Sequence, residues 1–220
     1  MSESAVSNAW SDWEARFASF LQEQTTDGNA AHDRAHIERV VTSARRLAHV
    51  EDAQLEVVVP ASWLHDCVVV PKDDPRRAEA SILAAETATA FLRDAGYPER
   101  RLDAIAHAIE AHSYSGNVAP GSIEAKVVQD ADRLDALGAV GIARCFLVGG
   151  SLGNTFYHPE DPFCDARDPD DSTYSLDHFY AKLLRLPDTM QTAAGRKEAE
   201  RRVEFMQSYL DQLATEIGEQ

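Results

Sequence analysis

Apolar residues recur along most of the chain at spacings of three and four, the period of a helix with one buried face. Residues 9–24 place Trp10, Trp13, Phe17, Phe20 and Leu21 on such a stripe, and these aromatics read as core rather than as a ligand box. Thr25, Thr26, Asp27, Gly28 and Asn29 are turn chemistry. A second helix opens near His36 and buries Ile37, Val40, Val41, Ala44, Leu47 and Ala48. His36 lies one turn before Val40, at the edge of that stripe, and His32 shares its face if the helix reaches back so far. The spacing predicts further helices over about 52–68, with Pro60 as a kink or a fresh start, over 76–95, with Ile82, Leu83, Ala85, Ala90, Phe91 and Leu92 for burial, and over 99–113, with Leu102, Ile105, Ala106 and Ile109. His178 to Leu186 also reads as helical. A last helix over 196–217 carries Val203, Met206, Leu210, Leu213 and Ile217. Residues 149–174, rich in Gly, Pro and Asp, are too long for a simple connector and read as a functional loop or lid, or else as a solvated excursion. With no repeat and no strand pattern, the expectation is an all-α fold. One domain is expected over 1–220, with a core over about 30–140 and a C-terminal helical part over about 141–220 packing on it.

Two polar groups break the pattern. His65 and Asp66 sit side by side in the apolar run Ala61 to Val70, with no cationic side chain within five residues. A carboxylate withdrawn from water costs several kcal/mol even after relaxation. Either a distant Arg or Lys folds back onto Asp66, or a metal ion takes both residues as ligands. Farther on, Asp130, Asp132 and Asp135 lie among Val127, Val128, Ala131, Leu134 and Leu137. Helical periodicity does not choose among the three, and by angle Asp130 and Asp135 fall nearer the apolar stripe than Asp132.

Composition narrows the partners. At 44% hydrophobic and 26% charged, the 220 residues match an ordinary globular protein. The formal net charge of -16 argues against binding a nucleic-acid backbone, which needs a basic face, and implies that a phosphate substrate would be met by a cation in the site. Cys67, Cys145 and Cys164 lack paired spacing, so neither a disulfide framework nor a cysteine zinc site is expected. A reducing cytoplasm fits. The opening Met1-Ser2-Glu3-Ser4 lacks the basic region of a signal peptide, and no run approaches a membrane span. A homo-oligomer through the terminal helices is compatible with the pattern.

An ordered set of residues carries a resemblance: His36 opening a helix, the pair His65 and Asp66 ending the next, and an Asp in Asp130-Ala131-Asp132-Arg133-Leu134. In that order they resemble the HD-domain superfamily of metal-dependent phosphohydrolases. His36-Ile37-Glu38-Arg39-Val40, the block QDADRLDALGAVGIAR and His178-Phe179-Tyr180-Ala181-Lys182-Leu183-Leu184 are further similar to the small stand-alone bacterial members of the YedJ/YpgQ type, over about residues 32–206. The Gly96-Tyr97-Pro98 triplet of the cyclic-dinucleotide branch lacks its context here, and the acidic residues that follow His-Asp in the alarmone branch are replaced by Cys67 and valines.

The resemblance implies an HD-type helical bundle in which His36, His65, Asp66 and Asp132 ligate one divalent ion, Mn, Mg, Fe, Co or Zn, with Mn favoured. The competing arrangement is a salt bridge from Asp66 or Asp132 to Arg39 or Arg133. His112 and the His32, Asp33 pair are nominated for proton transfer or ligand orientation, Asp66 also for orienting water. Lys182, with Lys72, Arg76 and Arg77 behind it, is nominated for substrate phosphates. The implied activity is pyrophosphate release from nucleoside triphosphates, with phosphomonoester hydrolysis as the runner-up. A metal-bound sensing domain without turnover, or a purely structural helical protein, are the readings of another class.

Overall fold

The computed structural model describes residues 3–24, 34–68, 70, 74, 76, 79–113, 116 and 118–218, with side chains from Trp10 onward. The expected turn at Thr25–Asn29 lies outside them. The described elements are α-helical: α1 Glu3–Gln24, α2 Arg34–Val50, α3 Leu55–Leu64, α4 Ala80–Asp94, α5 Leu102–His112, α6 Ile123–Leu134, α7 Gly138–Leu152, α8 Asp177–Ala181 and α9 Ala193–Ile217, with 3-10 turns at Glu99–Arg101 and Leu183–Thr189. Among the described residues the only β pairing is an isolated bridge between Thr155 and Tyr174. No single helix there is long and apolar enough to cross a membrane. The chain divides into two compact units, Met1–Asp132 and Arg133–Gln220.

In the first unit α3 is the central element, packed against α1, α2, α4 and α5. Its residues Val57 to Leu64 are all buried, so its sequence is apolar all round rather than striped. The helix runs through Pro60. A proline leaves the carbonyl four residues earlier without its helical donor, and here the Tyr97 hydroxyl donates to that Glu56 carbonyl at 2.7 Å. The start of α3 is held from α6, where the Glu124 carboxylate accepts the Gln54 N–H at 3.2 Å. Trp13, Phe17, Phe20, Trp63, Phe91 and Tyr97 form one aromatic cluster, in which Phe17 is fully buried and the other aromatics of the N-terminal stripe are half-buried.

Several expectations shift. The helix expected over 52–68 is shorter and ends at Leu64, which leaves His65 and Asp66 in the turn after it. The helix expected from 76 begins at Ala80, and its buried face is Ser81, Ala84, Ala85, Ala88 and Leu92. Ile82 and Ala90, expected inside, are exposed. Small residues let α4 lie close to α5, and that close approach, rather than side-chain size, selects the face.

In the second unit, α9 packs on α7 and on the 3-10 turn that follows α8. α7 ends at Gly153 in the left-handed conformation (φ 80°), where a side chain would be strained. Residues 153–176 have no helix, yet they are pinned. Asp161 accepts the N–H groups of Asp165 and Ala166 at 2.9 and 3.0 Å, and Arg167 grips the fully buried Asp177 through its two terminal guanidinium nitrogens. Burial pushes the Asp177 carboxyl up, but hydrogen bonds from Arg167 and from the Asp170 N–H outweigh it and hold the group below the usual carboxylate range.

Candidate metal centre

Four side chains from three parts of the first unit converge. His36 is the third residue of α2 and is buried, as is the stripe it leads. His65 caps the C-terminus of α3, Asp66 follows it, and Asp132 comes from the last turns of α6. His36, His65 and Asp66 each offer a ligand atom, all within 4.8 Å of one another. Asp132 Oδ1 lies 3.5 Å from His36 Nε2 and 3.8 Å from His65 Nε2. Of the three aspartates that periodicity left open, Asp130 and Asp135 are buried, as their angular positions imply. Asp135 pairs with Arg144. Asp132, about a third exposed, is the one beside the imidazoles.

His65 shows what the cluster is built for. Its Nδ1 lies 2.9 Å from the Ser62 carbonyl, which can only accept, so Nδ1 carries the hydrogen and a neutral ring holds its lone pair on Nε2. That Nε2 is buried without a hydrogen-bond partner among the described residues, and faces Asp66 Oδ2 at 3.4 Å and Asp132 Oδ1 at 3.8 Å. A lone pair aimed at two carboxylates needs a positive charge between them. Burial, opposed by Asp66 and Asp132, keeps the His65 pKa below that of a free imidazole, so a proton is a poor candidate. Two imidazoles and two carboxylates suit a divalent ion.

His112 ends α5 and repeats the device. Its Nδ1 is 2.5 Å from the Ile109 carbonyl, and its Nε2 is 3.4 Å from Asp66 Oδ1. Burial acts to lower its pKa, but the hydrogen bond and charge of Asp66, followed by Asp132, raise it overall. Its ring sits edge-on to His65 with centroids 4.8 Å apart. The Ser62 and Ile109 carbonyls that aim these rings carry no sequence signal beyond lying three residues before a histidine at a helix end. Asp66 itself is about a third exposed. The buried member of the pair is His65, so the cost that the sequence assigned to Asp66 is smaller than expected.

The other nominated residues are distributed unevenly. His32, Asp33, Lys72 and Arg77 lie outside the described residues. Arg76 is exposed and bound to Asp74, at 3.0 Å between Nη2 and Oδ2. Lys182 caps the C-terminus of α8 in the second unit and is exposed. Arg133, one of the cations considered for a salt bridge, donates to the Thr189 carbonyl.

Comparison with known proteins fits this geometry. The HD domain matches residues 34–137, which contain all four clustered residues. The YpgQ protein of Bacillus subtilis is 37% identical over 202 residues, covering 90% of each chain. Among solved structures, YpgQ of Bacillus subtilis in complex with ADP is 34% identical, covers 93% of this chain and 94% of its own, and superposes with a TM-score of 0.69. An HD-superfamily hydrolase from Bacillus thuringiensis is 33% identical, with coverage of 94% and 99% and a TM-score of 0.71. Kinship along nine-tenths of both chains, with the HD match over the cluster, means that the chain belongs to the HD-domain family, in its YpgQ-type branch.

Proposed function

We propose that this protein is a metal-dependent phosphohydrolase that releases pyrophosphate from nucleoside triphosphates, with His36, His65, Asp66 and Asp132 holding one divalent ion, Mn favoured. The observation that carries this reading is the buried Nε2 of His65, unpartnered and aimed at two carboxylates. The HD-superfamily hydrolase among its structural relatives supports hydrolysis. The ADP held by Bacillus subtilis YpgQ supports a nucleotide as substrate.

A divalent ion in such a site supplies acidified water near neutral pH and withdraws charge from a phosphoryl oxygen. The chain supplies the rest. As ligands, imidazoles would give lone pairs without adding charge, and the two carboxylates would balance a dication, so that the occupied centre would be neutral. Asp66 has one oxygen toward His65 and the other toward His112, which fixes its plane. His112, anchored on the Ile109 carbonyl, holds or passes a proton at its Nε2 beside Asp66. Lys182 is assigned to substrate phosphates, and the acidic chain as a whole disfavours polyanions longer than a nucleotide. The cytoplasm is the compartment this substrate implies.

The test is a nucleotide panel with Mn²⁺, scored separately for phosphate and pyrophosphate. Pyrophosphate from triphosphates is expected, and single phosphate from monophosphates would place the protein among phosphomonoesterases instead. His65→Ala and Asp66→Ala should each abolish turnover; if either leaves it unchanged, the proposed mechanism is wrong.

A further inference from the structure

A helix leaves its last four carbonyls without helical donors, and at the end of α5 side chains meet two of them. His112 Nδ1 donates to the Ile109 carbonyl at 2.5 Å, and the Gln129 side-chain amide, reaching across from α6, donates to the Ala111 carbonyl at 2.6 Å. A carbonyl only accepts, so the amide nitrogen must face Ala111 and Gln129 Oε1 is fixed on the other side. That oxygen is buried and has no hydrogen-bond partner among the described residues. Leu or Met would fill a similar volume without stranding an acceptor, so packing alone does not account for an amide here. The bond to Ala111 is what the amide adds.

That bond ties together two helices that carry the metal centre and its neighbour. Gln129 lies one turn before Asp132 on α6, and Ala111 immediately precedes His112 on α5. Asp132 Oδ1 approaches His36 and His65, while His112 Nε2 approaches Asp66 Oδ1 at 3.4 Å. Ser113, the next residue, is already extended with ψ 131°. His112 is therefore the last helical residue, where fraying would carry its ring away.

We propose that Gln129 is a positioning residue: by holding the Ala111 carbonyl it keeps the final turn of α5 wound and the His112 ring within reach of Asp66. Its consequence for turnover rests on the phosphohydrolase reading above, whereas its consequence for the ring does not.

The experiment compares the full-length parent with Gln129→Met and with Val127→Ala, which opens a cavity at a buried position of the same helix and controls for general loosening. Nitrogen-edited NMR of the metal-free protein follows the His112 Nδ1 hydrogen, assigned by its disappearance in His112→Ala. Protection from solvent exchange is expected in the parent and in Val127→Ala. In Gln129→Met exchange should be at least about tenfold faster, because the bond to Ile109 opens with the frayed turn. With Mn²⁺ and a nucleoside triphosphate, Gln129→Met should lower kcat roughly tenfold or more and leave KM within about twofold, and Val127→Ala should change neither. Parent-like exchange in Gln129→Met overturns the proposal, as does an equal kinetic loss in Val127→Ala. Should Gln129→Met fold poorly by circular dichroism, Gln129→Leu carries the same test. If the parent turns over no nucleotide, the phosphohydrolase reading fails, and the exchange rates alone decide the role of Gln129.

Discussion

His36 Nε2 and Asp132 Oδ1 stand 3.5 Å apart, joining the first turn of α2 to the end of α6. Asp132→Asn keeps the shape and removes the charge. We expect metal content per chain, by elemental analysis after Mn²⁺ loading, to fall at least about tenfold to a hundredfold in affinity, and turnover to fall with it. Asp130→Asn is the control from the same helix. Asp130 is buried, so its loss should lower the melting temperature while leaving metal content near one ion per chain.

Tyr97 donates to the carbonyl that Pro60 leaves without a helical partner. Tyr97→Phe should destabilise by about 0.5–1.5 kcal/mol, the net worth of a part-buried hydrogen bond, seen as a lower urea midpoint with an unchanged slope. Pro60→Ala restores an N–H to that position. In the Pro60→Ala background Tyr97→Phe should therefore cost less, and strict additivity would show that the hydroxyl does not substitute for the missing N–H.

Acid should weaken the second unit in a defined window. Hydrogen bonds from Arg201 and then Arg202, against the opposing effect of burial, hold the Glu198 pKa at about 2, and Asp177 is likewise depressed by Arg167. Groups depressed in the folded state stabilise above their unfolded values near 4 and lose that contribution as pH falls toward their folded values. Urea midpoints should drop from about pH 5 down to about pH 2, a window set by the unfolded values near 4 and the folded Glu198 value. Arg167→Met leaves a buried charge on Asp177. It should cost about 3–5 kcal/mol at pH 7 and less at pH 4, where protonation relieves that charge.

The thiols should be slow to react in the native protein. Burial, followed by Asp171, raises Cys145 to about 11, and burial with the nearby Asp177 raises Cys164 to about 11. Cys67 is buried, with its sulfur donating to the Ala84 carbonyl at 3.4 Å. Since the thiolate is the reactive form, aromatic disulfide reagents at pH 7.5 should titrate the three cysteines only after urea is added. Rapid labelling of a native thiol would show that one of these environments opens.

What the sequence reveals and what it conceals follow from the same physics. The α2 stripe from Ile37 to Ala48 is buried as periodicity predicts, because a helix packed on one side records its neighbour in its own spacing. α4 partly defeats that logic: Ala85 and Leu92 are buried as expected, but bulky Ile82 is exposed while Ala84 and Ala88 face inward, selected by how close α5 lies. α3 is buried on every side, so its period carries no direction. By angle Asp130 and Asp135 lie nearer the apolar stripe than Asp132 does, so periodicity points away from it and the resemblance alone singles it out; a site built across three helices is invisible to the pattern of any one.

His65 and His112 each bind a carbonyl of their own helix three residues back. Their rings are therefore oriented by local backbone before any ion arrives, and capture requires little further loss of side-chain freedom. Loading should then be quick, paced by how fast the ion sheds its water rather than by assembly of the site, and repeated removal and return of the metal should leave the protein unworn.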